Sequence, residues 1–254
     1  MADVPYDSCN YSDFWIGREY ENQSEKIAIS QFLNKITYRD SIIDIGGGFG
    51  RLSSLYAPIF QKCLVVDPSE SLLAEAQKSL KSLKNLKFLK SNSEKLPNDQ
   101  FEVALLVRVV HHLPDPLPTF KEVYRVLHPE GCFILEFANK NHFLSVLRSL
   151  SLGNLSYLND LNPVDIRSEQ AKKEGKIIFL NHHPKKIQQQ LRESGFKIID
   201  RLSVSNFRHP LIKWLIPEKI LLFFENLLQK PLSYLNFGPS IFLLCQKQRS
   251  NLTI

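Results

Sequence analysis

Residues 42–51 constrain the fold of this chain more than any other segment. An apolar run rich in isoleucine ends in Asp44, and glycines follow at positions 46, 47, 48 and 50. The run predicts a buried strand, and the glycines predict a tight turn whose backbone, lacking Cβ atoms, can approach a ligand closely. In open α/β sheets, the turn after the first strand commonly binds a nucleotide. We therefore expect an α/β fold with a ligand site at this turn.

A second acidic residue supports this expectation. Residues 62–67 form another short apolar run that ends in Asp67. The spacing from Gly50 accommodates one helix and one parallel strand, which brings Asp67 beside the glycine turn. A carboxylate at that position can accept hydrogen bonds from both hydroxyl groups of a ribose. The two segments together predict an adenosine-binding site.

The spacing of the glycines argues against two common nucleotide motifs. The dinucleotide pattern G-x-G-x-x-G fails because Arg51 occupies the sixth position counted from Gly46. The Walker pattern also fails, since no Gly-Lys-Ser/Thr follows the turn. A ligand other than a dinucleotide is therefore favoured.

Four motifs in order resemble those of the class I S-adenosylmethionine-dependent methyltransferases, and most closely their type 11 small-molecule group. They are DIGGGFGR at 44–51, VVDPS at 65–69, EKLP at 94–97 and VRVVHHLPDP at 107–116. The likeness spans roughly residues 14–137 and, more loosely, 183–248. It implies a Rossmann-like α/β fold, with a seven-stranded, mostly parallel sheet, helices on both faces and an antiparallel last strand. It also implies S-adenosylmethionine as cofactor and methyl transfer to a small molecule, for which an apolar one is a candidate.

The resemblance implies a set of cofactor-binding residues. Asp44 would lie near the sulfonium end of the cofactor, and Asp67 would bind the ribose. The alternatives are that Asp44 caps the glycine turn and that Asp67 caps the following helix. Asn92 stands where relatives usually carry an aspartate that accepts a bond from the adenine amino group, and a neutral amide accepts more weakly. The full predicted set is Asp44, Gly46, Gly47, Gly48, Gly50, Asp67, Pro68, Ser69, Asn92, Ser93 and Arg108.

Residues 107–112 follow the fourth predicted strand and should lie where the substrate enters. His111 and His112 are candidate general bases because a histidine titrates near working pH. The alternative is that they pack or form hydrogen bonds in the loop, since methyl transfer depends mostly on positioning. A zinc site formed with His182 and His183 is not favoured, because adjacent histidines project differently and no cysteine joins them. We expect no metal.

The alternation of strands and helices predicts a single methyltransferase domain over residues 1–254. Its expected parts are an N-terminal lid, a cofactor-binding core, substrate-side insertions and a C-terminal part of the core. The lid covers residues 1–36, and the cofactor-binding core covers residues 37–138. The substrate-side insertions cover residues 139–181 and 206–239, and the C-terminal part of the core covers residues 183–248. In the lid, Arg18 or Tyr20 is a candidate for reaching the methionine carboxylate of the cofactor. An amphipathic helix pinned to the core by its aromatic residues is the alternative.

Composition indicates the size of the core and the cellular location that we expect. The 254 residues are 43% hydrophobic, which suits one sizeable core, and the start of the chain lacks the pattern of a secretory signal. Cys9, Cys63, Cys132 and Cys245 have no CxxC spacing, which favours reduced thiols and a cytoplasmic location. No apolar run approaches the ~20 residues of a membrane span. The sequence indicates neither the acceptor nor the oligomeric state.

Two features leave alternatives open. The net charge of +6 permits an RNA methyltransferase, although the lysines are better explained as solvated helix faces, so no nucleic-acid partner is expected. Residues 211–228 mix apolar and charged side chains around Pro217, a pattern that suits a substrate pocket, a dimer surface or peripheral contact with a membrane. A non-catalytic cofactor-binding protein of the same fold is the remaining alternative.

Overall fold

The computed structural model describes residues 14–248, with residues 1–13 and 249–254 outside the description. Cys9 and the first part of the predicted lid therefore lie outside the described residues. The helices are α1 (Glu19–Leu33), α2 (Ser53–Tyr56), α3 (Glu70–Ser79), α4 (Leu117–Val126), α5 (Phe143–Ser151), α6 (Glu169–Lys173), α7 (Pro184–Glu193), α8 (Pro210–Leu215) and α9 (Glu218–Ser233). The strands are β1 (Ser41–Ile45), β2 (Lys62–Asp67), β3 (Leu86–Lys90), β4 (Phe101–Leu106), β5 (Leu127–Ala138), β6 (Val164–Asp165), β7 (Leu180–Asn181), β8 (Phe196–Val204) and β9 (Ser240–Lys247).

Seven of these strands form one sheet in the order β3-β2-β1-β4-β5-β9-β8. The pairs from β3 through β5 are parallel, whereas β9 runs antiparallel to both β5 and β8. The predicted fold, including the antiparallel last strand, is confirmed. Strands β6 and β7 form a separate two-stranded ribbon.

The buried strands carry apolar side chains toward both faces of the sheet. On β1, Ile42 packs into one core cluster and Ile43 into the other, because successive side chains point to opposite faces. Phe32 of α1 belongs to the first cluster and Phe120 of α4 to the second. The near-continuous apolar runs recognised in the sequence follow from this burial on both faces.

The order of strands creates a crevice at the carboxyl end of β1. Strands β2 and β3, which follow β1 in the chain, lie on one side of β1, and β4 lies on the other side. The strand order therefore reverses its direction at β1. Ligands of open α/β sheets bind at such a switch point. The loops after β1, β2 and β4 meet there.

Two elements near the site are irregular. Helix α2 is only one turn long, because Pro58 has no backbone N–H to continue the helical hydrogen bonds. The pairing of β5 with β4 has a register shift between Phe101 and Val103. Neither irregularity moves the carboxyl edge of the sheet.

Helix α1 is a core element rather than a movable cover. Ala28, Ile29 and Phe32 are fully buried, and the helix packs against α9 and β8. Helix α9, which we expected on the substrate side, likewise lies on β8 and α1. Helices α1 and α9 therefore both stabilise the sheet.

Other described features bear on the setting of the protein. Cys63, Cys132 and Cys245 are free thiols. Within residues 14–248, none of the helices combines the length and the apolar character that a membrane crossing requires.

Candidate functional site

A cavity of about 270 Å³ opens at the carboxyl ends of β1, β2 and β4. Most of the residues predicted for the cofactor line it. Its walls are formed by Trp15, Asp44, Gly46, Gly47, Gly48, Phe49, Arg51, Leu52, Asp67, Pro68, Leu72, Ser91, Asn92, Ser93, Val107, Arg108, Val109, His112 and Leu113.

The glycine turn is held tightly against the neighbouring strand. The backbone N–H groups of Gly46 and Gly47 both donate to the carbonyl of Val66, at 2.7 and 3.2 Å. Gly46 has φ +72°, and a Cβ there would overlap Cγ2 of Val109. Gly48 has φ +52°, and a Cβ there would stand in van der Waals contact with Leu72 and near Asp67. The absence of side chains thus keeps the floor of the cavity open.

Asp67 lines the cavity, and backbone hydrogen bonds hold both oxygens of its carboxylate. Its Oδ2 accepts the N–H of Gly48 at 2.9 Å, and its Oδ1 accepts the N–H of Ser69 at 2.9 Å. These bonds fix the carboxylate at the end of β2, and each oxygen has a second lone pair. The helix cap considered as an alternative is supplied by Ser69, whose hydroxyl accepts the N–H of Leu72 at 3.2 Å.

Asp44 is a buried acid at the end of β1. Burial raises the pKa of its carboxyl group to about 6, although Tyr56 donates its hydroxyl to Oδ2 at 3.0 Å and Arg51 attracts the charge. Asp67 adds a small upward effect on this pKa. The carboxylate is therefore ionised at neutral pH but held in an environment that would gain from a positive ligand group.

Asn92 and Ser93 form the outer wall beyond β3. The side-chain carbonyl of Asn92 accepts the N–H of Glu94 at 3.1 Å, which orients the amide, and the hydroxyl of Ser93 lies 3.2 Å from that of Thr119. One lone pair of the Asn92 carbonyl is thus used within the loop. Its neighbours Pro68 and Val109 complete an apolar slot of the cavity wall.

A charged cluster that the sequence analysis did not identify closes one side of the cavity. Glu25 of α1 is fully buried, and its two carboxylate oxygens separately bind Arg51 and Arg108. Trp15 lies over the Arg51 guanidinium, with 3.8 Å between the guanidinium carbon and the ring centroid. The indole Nε1 of Trp15 is buried without a hydrogen-bond partner in the structure. Because Glu25 is distant in sequence from both arginines, no local pattern could have revealed this cluster.

Comparison with known proteins places the fold. Residues 43–135 match the family model described as a methyltransferase domain. A putative S-adenosylmethionine-dependent methyltransferase from Listeria monocytogenes superimposes with a TM-score of 0.60 at 17% identity, over 89% of this chain and 99% of that one. Residues 43–135 are therefore similar to a methyltransferase domain, and the described residues share the fold of these solved structures.

Curated relatives match a little over a third of the chain. The uncharacterized methyltransferase YcgJ of Bacillus subtilis (strain 168) is 31% identical over 37% of this chain and 39% of its own length. The ubiquinone biosynthesis O-methyltransferase of Pseudomonas entomophila (strain L48) is 29% identical over 39% of this chain and 45% of its own. The chain therefore spans less than half the length of these relatives.

One solved neighbour was crystallised with small molecules. The 1,6-didemethyltoxoflavin-N1-methyltransferase of Burkholderia thailandensis, with bound 1,6-didemethyltoxoflavin and S-adenosylhomocysteine, has a TM-score of 0.61 at 13% identity. The alignment covers 94% of this chain and 84% of that one.

The residues of the methyltransferase domain fit S-adenosylmethionine. The bare backbone at Gly48 keeps open the space beside Asp67, a cradle that a Cβ would partly fill. The unpartnered Nε1 of Trp15 is a donor in the cavity wall for an acceptor of the ligand. An adenosine with a charged amino-acid tail has matching groups, since it offers a ribose diol, an ammonium and a carboxylate.

The two candidate histidines of the methyltransferase domain have different positions. His112 lines the cavity, and its Nδ1 lies 2.7 Å from the carbonyl of Ile178. A carbonyl only accepts, so Nδ1 carries the proton and Nε2 is the basic nitrogen of the neutral ring. Burial lowers the pKa of His112, despite the opposing effect of the bond to Ile178, which favours that neutral form at pH 7.

His111 lies behind the cavity wall. It is 3% exposed and stacks on Phe179 with 4.2 Å between ring centroids. Burial lowers its pKa well below the usual value, and His112, Arg108 and His182 add to the effect. His111 is not among the residues that line the cavity, and its ring packs on Phe179.

Two predicted cofactor residues pack against the protein instead. A Cβ on Gly50 would overlap Cδ1 of Leu80, so this glycine permits α3 to approach the turn and does not line the cavity. Ser69 is fully buried as the N-cap of α3 and also lies outside the lining. Both positions support the site through packing.

Arg18 and Tyr20 do not reach the cavity. The Tyr20 hydroxyl donates to Oε2 of Glu225 at 2.6 Å and accepts the N–H of Phe207 at 3.1 Å, which ties α1 to the segment before α8. The Arg18 guanidinium stacks on Phe14 at 3.7 Å. Because α1 continues into the core, Tyr20 faces α9, and Trp15 is the residue of this N-terminal segment that lines the cavity.

No group of three or more histidine, cysteine or acidic side chains within residues 14–248 is arranged to hold a metal ion. His182 lies with Nε2 at 3.1 Å from the carbonyl of Val110, and His183 caps α7 through its Nδ1. His182 thus binds a backbone group of the loop that follows β4, whereas His183 binds backbone groups of Leu158 and of the first turn of α7.

Proposed function

We propose that the protein methylates a small molecule with S-adenosylmethionine as the methyl donor. The observation that carries this proposal is Asp67, fixed by two backbone N–H groups beside a glycine turn whose bare backbone forms the cavity floor. When bound, S-adenosylmethionine supplies a methyl group activated on a sulfonium and leaves as S-adenosylhomocysteine.

Each part of the cavity has a role in the proposal. Asp67 would hold the ribose hydroxyls, while Pro68, Asn92 and Ser93 would border the adenine. Asp44 would face the positively charged end of the cofactor together with the backbone of residues 46–48. Trp15 and the arginines held by Glu25 would close the side of the cavity nearest α1.

His112 is the side chain to which we assign the role of accepting a proton from the acceptor molecule. Its Nε2 is the basic nitrogen in the neutral ring, and the ring lines the cavity beside Leu113. We infer that a hydroxyl or amine acceptor transfers its proton to this nitrogen as its lone pair attacks the methyl carbon. The rest of the work is positioning, which can itself supply most of the acceleration.

The walls nearest the loop after β4 favour an apolar acceptor. Val107, Val109 and Leu113 line that side, with Phe49 and Leu52 on the other. The names of two related proteins, a ubiquinone biosynthesis O-methyltransferase and a toxoflavin N-methyltransferase, indicate small-molecule acceptors for those proteins. The free thiols support the cytoplasmic location that we propose.

Calorimetric titration with S-adenosylhomocysteine tests the proposal. We expect micromolar binding, no binding of NAD, and a loss of roughly 100-fold or more in Asp67→Ala, since two hydrogen bonds to a charged group disappear. Asp40→Ala is the matched control, because Asp40 is an exposed aspartate just before the amino end of β1. Equal binding by Asp67→Ala, or a preference for NAD, would contradict the assignment.

The two alternatives are tested with the same protein. An RNA methyltransferase would bind RNA with an affinity that falls steeply as salt is added, and we expect no such binding. A non-catalytic binder would retain S-adenosylhomocysteine yet transfer no labelled methyl group to any small-molecule fraction. Transfer that depends on Asp67 would support the enzyme.

A further inference from the structure

Helix α9 turns mostly polar residues toward the protein and apolar residues toward the solvent, which is the reverse of an ordinary surface helix. Its buried positions are Leu221, Glu225, Gln229 and Ser233, three of which are polar. The opposite side of the helix carries exposed apolar residues at helical spacing, Ile220, Phe223, Phe224 and Leu227, of which Phe223 is 65% exposed. A surface helix normally buries its apolar stripe.

Specific hydrogen bonds lock this orientation. Glu225 accepts the hydroxyl of Tyr20 at 2.6 Å and the N–H of Ser205 at 2.7 Å. Gln229 donates to the carbonyl of Ser24 at 2.9 Å. Rotating α9 to bury its phenylalanines would leave these buried polar groups without partners, which is unfavourable. The outward apolar stripe is therefore built into the fold.

Helix α8 extends the same exposed apolar character. Leu211, Trp214 and Leu215 are all exposed, and Trp214 is 81% exposed, although tryptophan normally buries most of its surface. Only Ile216 and Pro217 separate α8 from α9. The name α8–α9 face is used below for Leu211, Trp214, Leu215, Phe223, Phe224 and Leu227.

Helix α8 is linked through α1 to two residues of the cavity wall. Lys213 of α8 binds the carboxylate of Glu21 on α1 at 3.2 Å. Glu21 lies one helical turn before Glu25, whose carboxylate holds Arg51 and Arg108 in the cavity wall. The α8–α9 face is therefore connected to the cavity wall through α1.

A neighbouring helix adds a second exposed apolar segment. Phe143 begins α5 and stacks on Phe237, just after α9, with ring centroids 5.1 Å apart. Leu144 and Leu147 of α5 are more than half exposed, and the described burial of α5 is limited to Ser149. The apolar surface thus continues beyond one helix.

The charges on these helices indicate the partner. Arg148 of α5 and Lys219 of α9 are exposed, and Arg208 lies just before α8, whereas Glu218 is the exposed acid of α8 and α9, and the chain carries a net charge of +6. In a symmetric dimer through this face, the same cations would oppose their own copies. An anionic lipid surface complements them, and tryptophan with basic residues is typical of helices that lie in a bilayer interface.

We propose that the α8–α9 face docks on the surface of an anionic lipid bilayer, with α8 lying in the headgroup region. The apolar side chains enter the acyl boundary, and the flanking cations contact lipid phosphates. This inference rests on the exposed face alone and does not depend on the proposed methyl transfer.

Co-sedimentation with vesicles of equal parts phosphatidylglycerol and phosphatidylcholine tests the proposal. We expect the native chain to bind, and the double variant Trp214→Asp, Phe223→Asp to bind at least about tenfold more weakly, because two buried apolar side chains are replaced. Tyr38→Asp is the matched control. Tyr38 is 64% exposed and lies just before the amino end of β1, outside the α8–α9 face. Its variant should therefore bind as the native chain does.

Tryptophan fluorescence gives a second readout that needs no disruptive substitution. The emission of the native chain should shift to the blue on these vesicles, and Trp214→Phe should bind while losing most of that shift. Vesicles of phosphatidylcholine alone should bind several-fold more weakly.

Three results would overturn the inference. They are absence of binding by the native chain, equal binding by the double variant, and self-association in sedimentation equilibrium that the double variant abolishes without any vesicle binding. The last result would assign the face to a second copy of the chain. Equal binding to both kinds of vesicle would refute the anionic preference.

Discussion

The carboxylate of Glu25 accepts Nε of Arg108 at 2.7 Å, although the two residues are 83 positions apart in the chain. The other carboxylate oxygen accepts Nη2 of Arg51 at 2.6 Å. Burial by itself would raise the pKa of Glu25, but the two arginines hold it below its ordinary value. One ionised group on a core helix thus fixes two loops that line the cavity.

Replacing Glu25 with glutamine should destabilise the protein strongly. Two largely buried arginines would lose the carboxylate that both of them bind, and the free energy of unfolding should fall by about 3 kcal/mol. Urea denaturation measures this. Glu70→Gln removes an exposed pair with Lys90 and should have a far smaller effect. Similar losses in both variants would show that burial of the Glu25 cluster contributes little.

Asp44→Asn should stabilise the free protein at neutral pH. The pKa of Asp44 lies at about 6 in the folded state against an ordinary 3.8, so ionisation opposes folding as the pH rises from about 4 to about 6. Above pH 6 the variant should gain up to about 3 kcal/mol, and near pH 4 it should match the native chain. Thermal unfolding across this range measures the difference.

The same substitution should weaken binding of the positively charged cofactor. S-adenosylmethionine carries a sulfonium charge that S-adenosylhomocysteine lacks, so Asp44→Asn should reduce affinity for the former by the larger factor. Titration calorimetry with both ligands measures this. An equal reduction would mean that Asp44 acts through the shape of the turn and not through its charge.

Gly46→Ala should cost far more than Gly17→Ala. The two glycines have nearly equal φ values, +72° and +75°, so both substitutions carry the same strain of about 1–2 kcal/mol. Only Gly46 has a stiff neighbour, Val109, in the space of the new Cβ, whereas nothing lies within 4 Å at Gly17. Gly46→Ala should therefore also lower S-adenosylhomocysteine affinity, as Val109 is displaced into the cavity. Equal stability losses would remove the packing argument.

His111→Phe should leave stability at pH 7 unchanged or higher. Nδ1 of His111 is buried without a hydrogen-bond partner in the structure, and a phenyl ring can keep the stacking on Phe179. Because burial lowers the pKa of His111, the native chain loses stability as the pH falls below the ordinary value of 6.5. The variant should lose less over pH 6.5 to 5. A loss above about 1.5 kcal/mol at pH 7 would contradict this description.

Much of the cavity lining could be predicted from the sequence. Asp44 and Asp67 end apolar runs, and the ends of neighbouring parallel strands meet at one edge, so spacing along the chain was enough to bring them together. Gly46 and Gly48 followed from the same turn. The distinction between His111 and His112 did not, because a one-residue step in the 3₁₀ turn Val110–His112 decides which ring enters the cavity.

The sequence alone determined the alternation of strands and helices that builds the main sheet, since the period of buried side chains and the placement of glycine and proline act over short distances. Tertiary structure alone decided that Glu25 joins Arg51 to Arg108, that Trp15 rather than Tyr20 lines the cavity, and that α9 turns its polar stripe inward. Each of these depends on how a helix docks against distant segments. A buried charge or hydroxyl must find its partner in space, and that partner leaves no trace in local spacing.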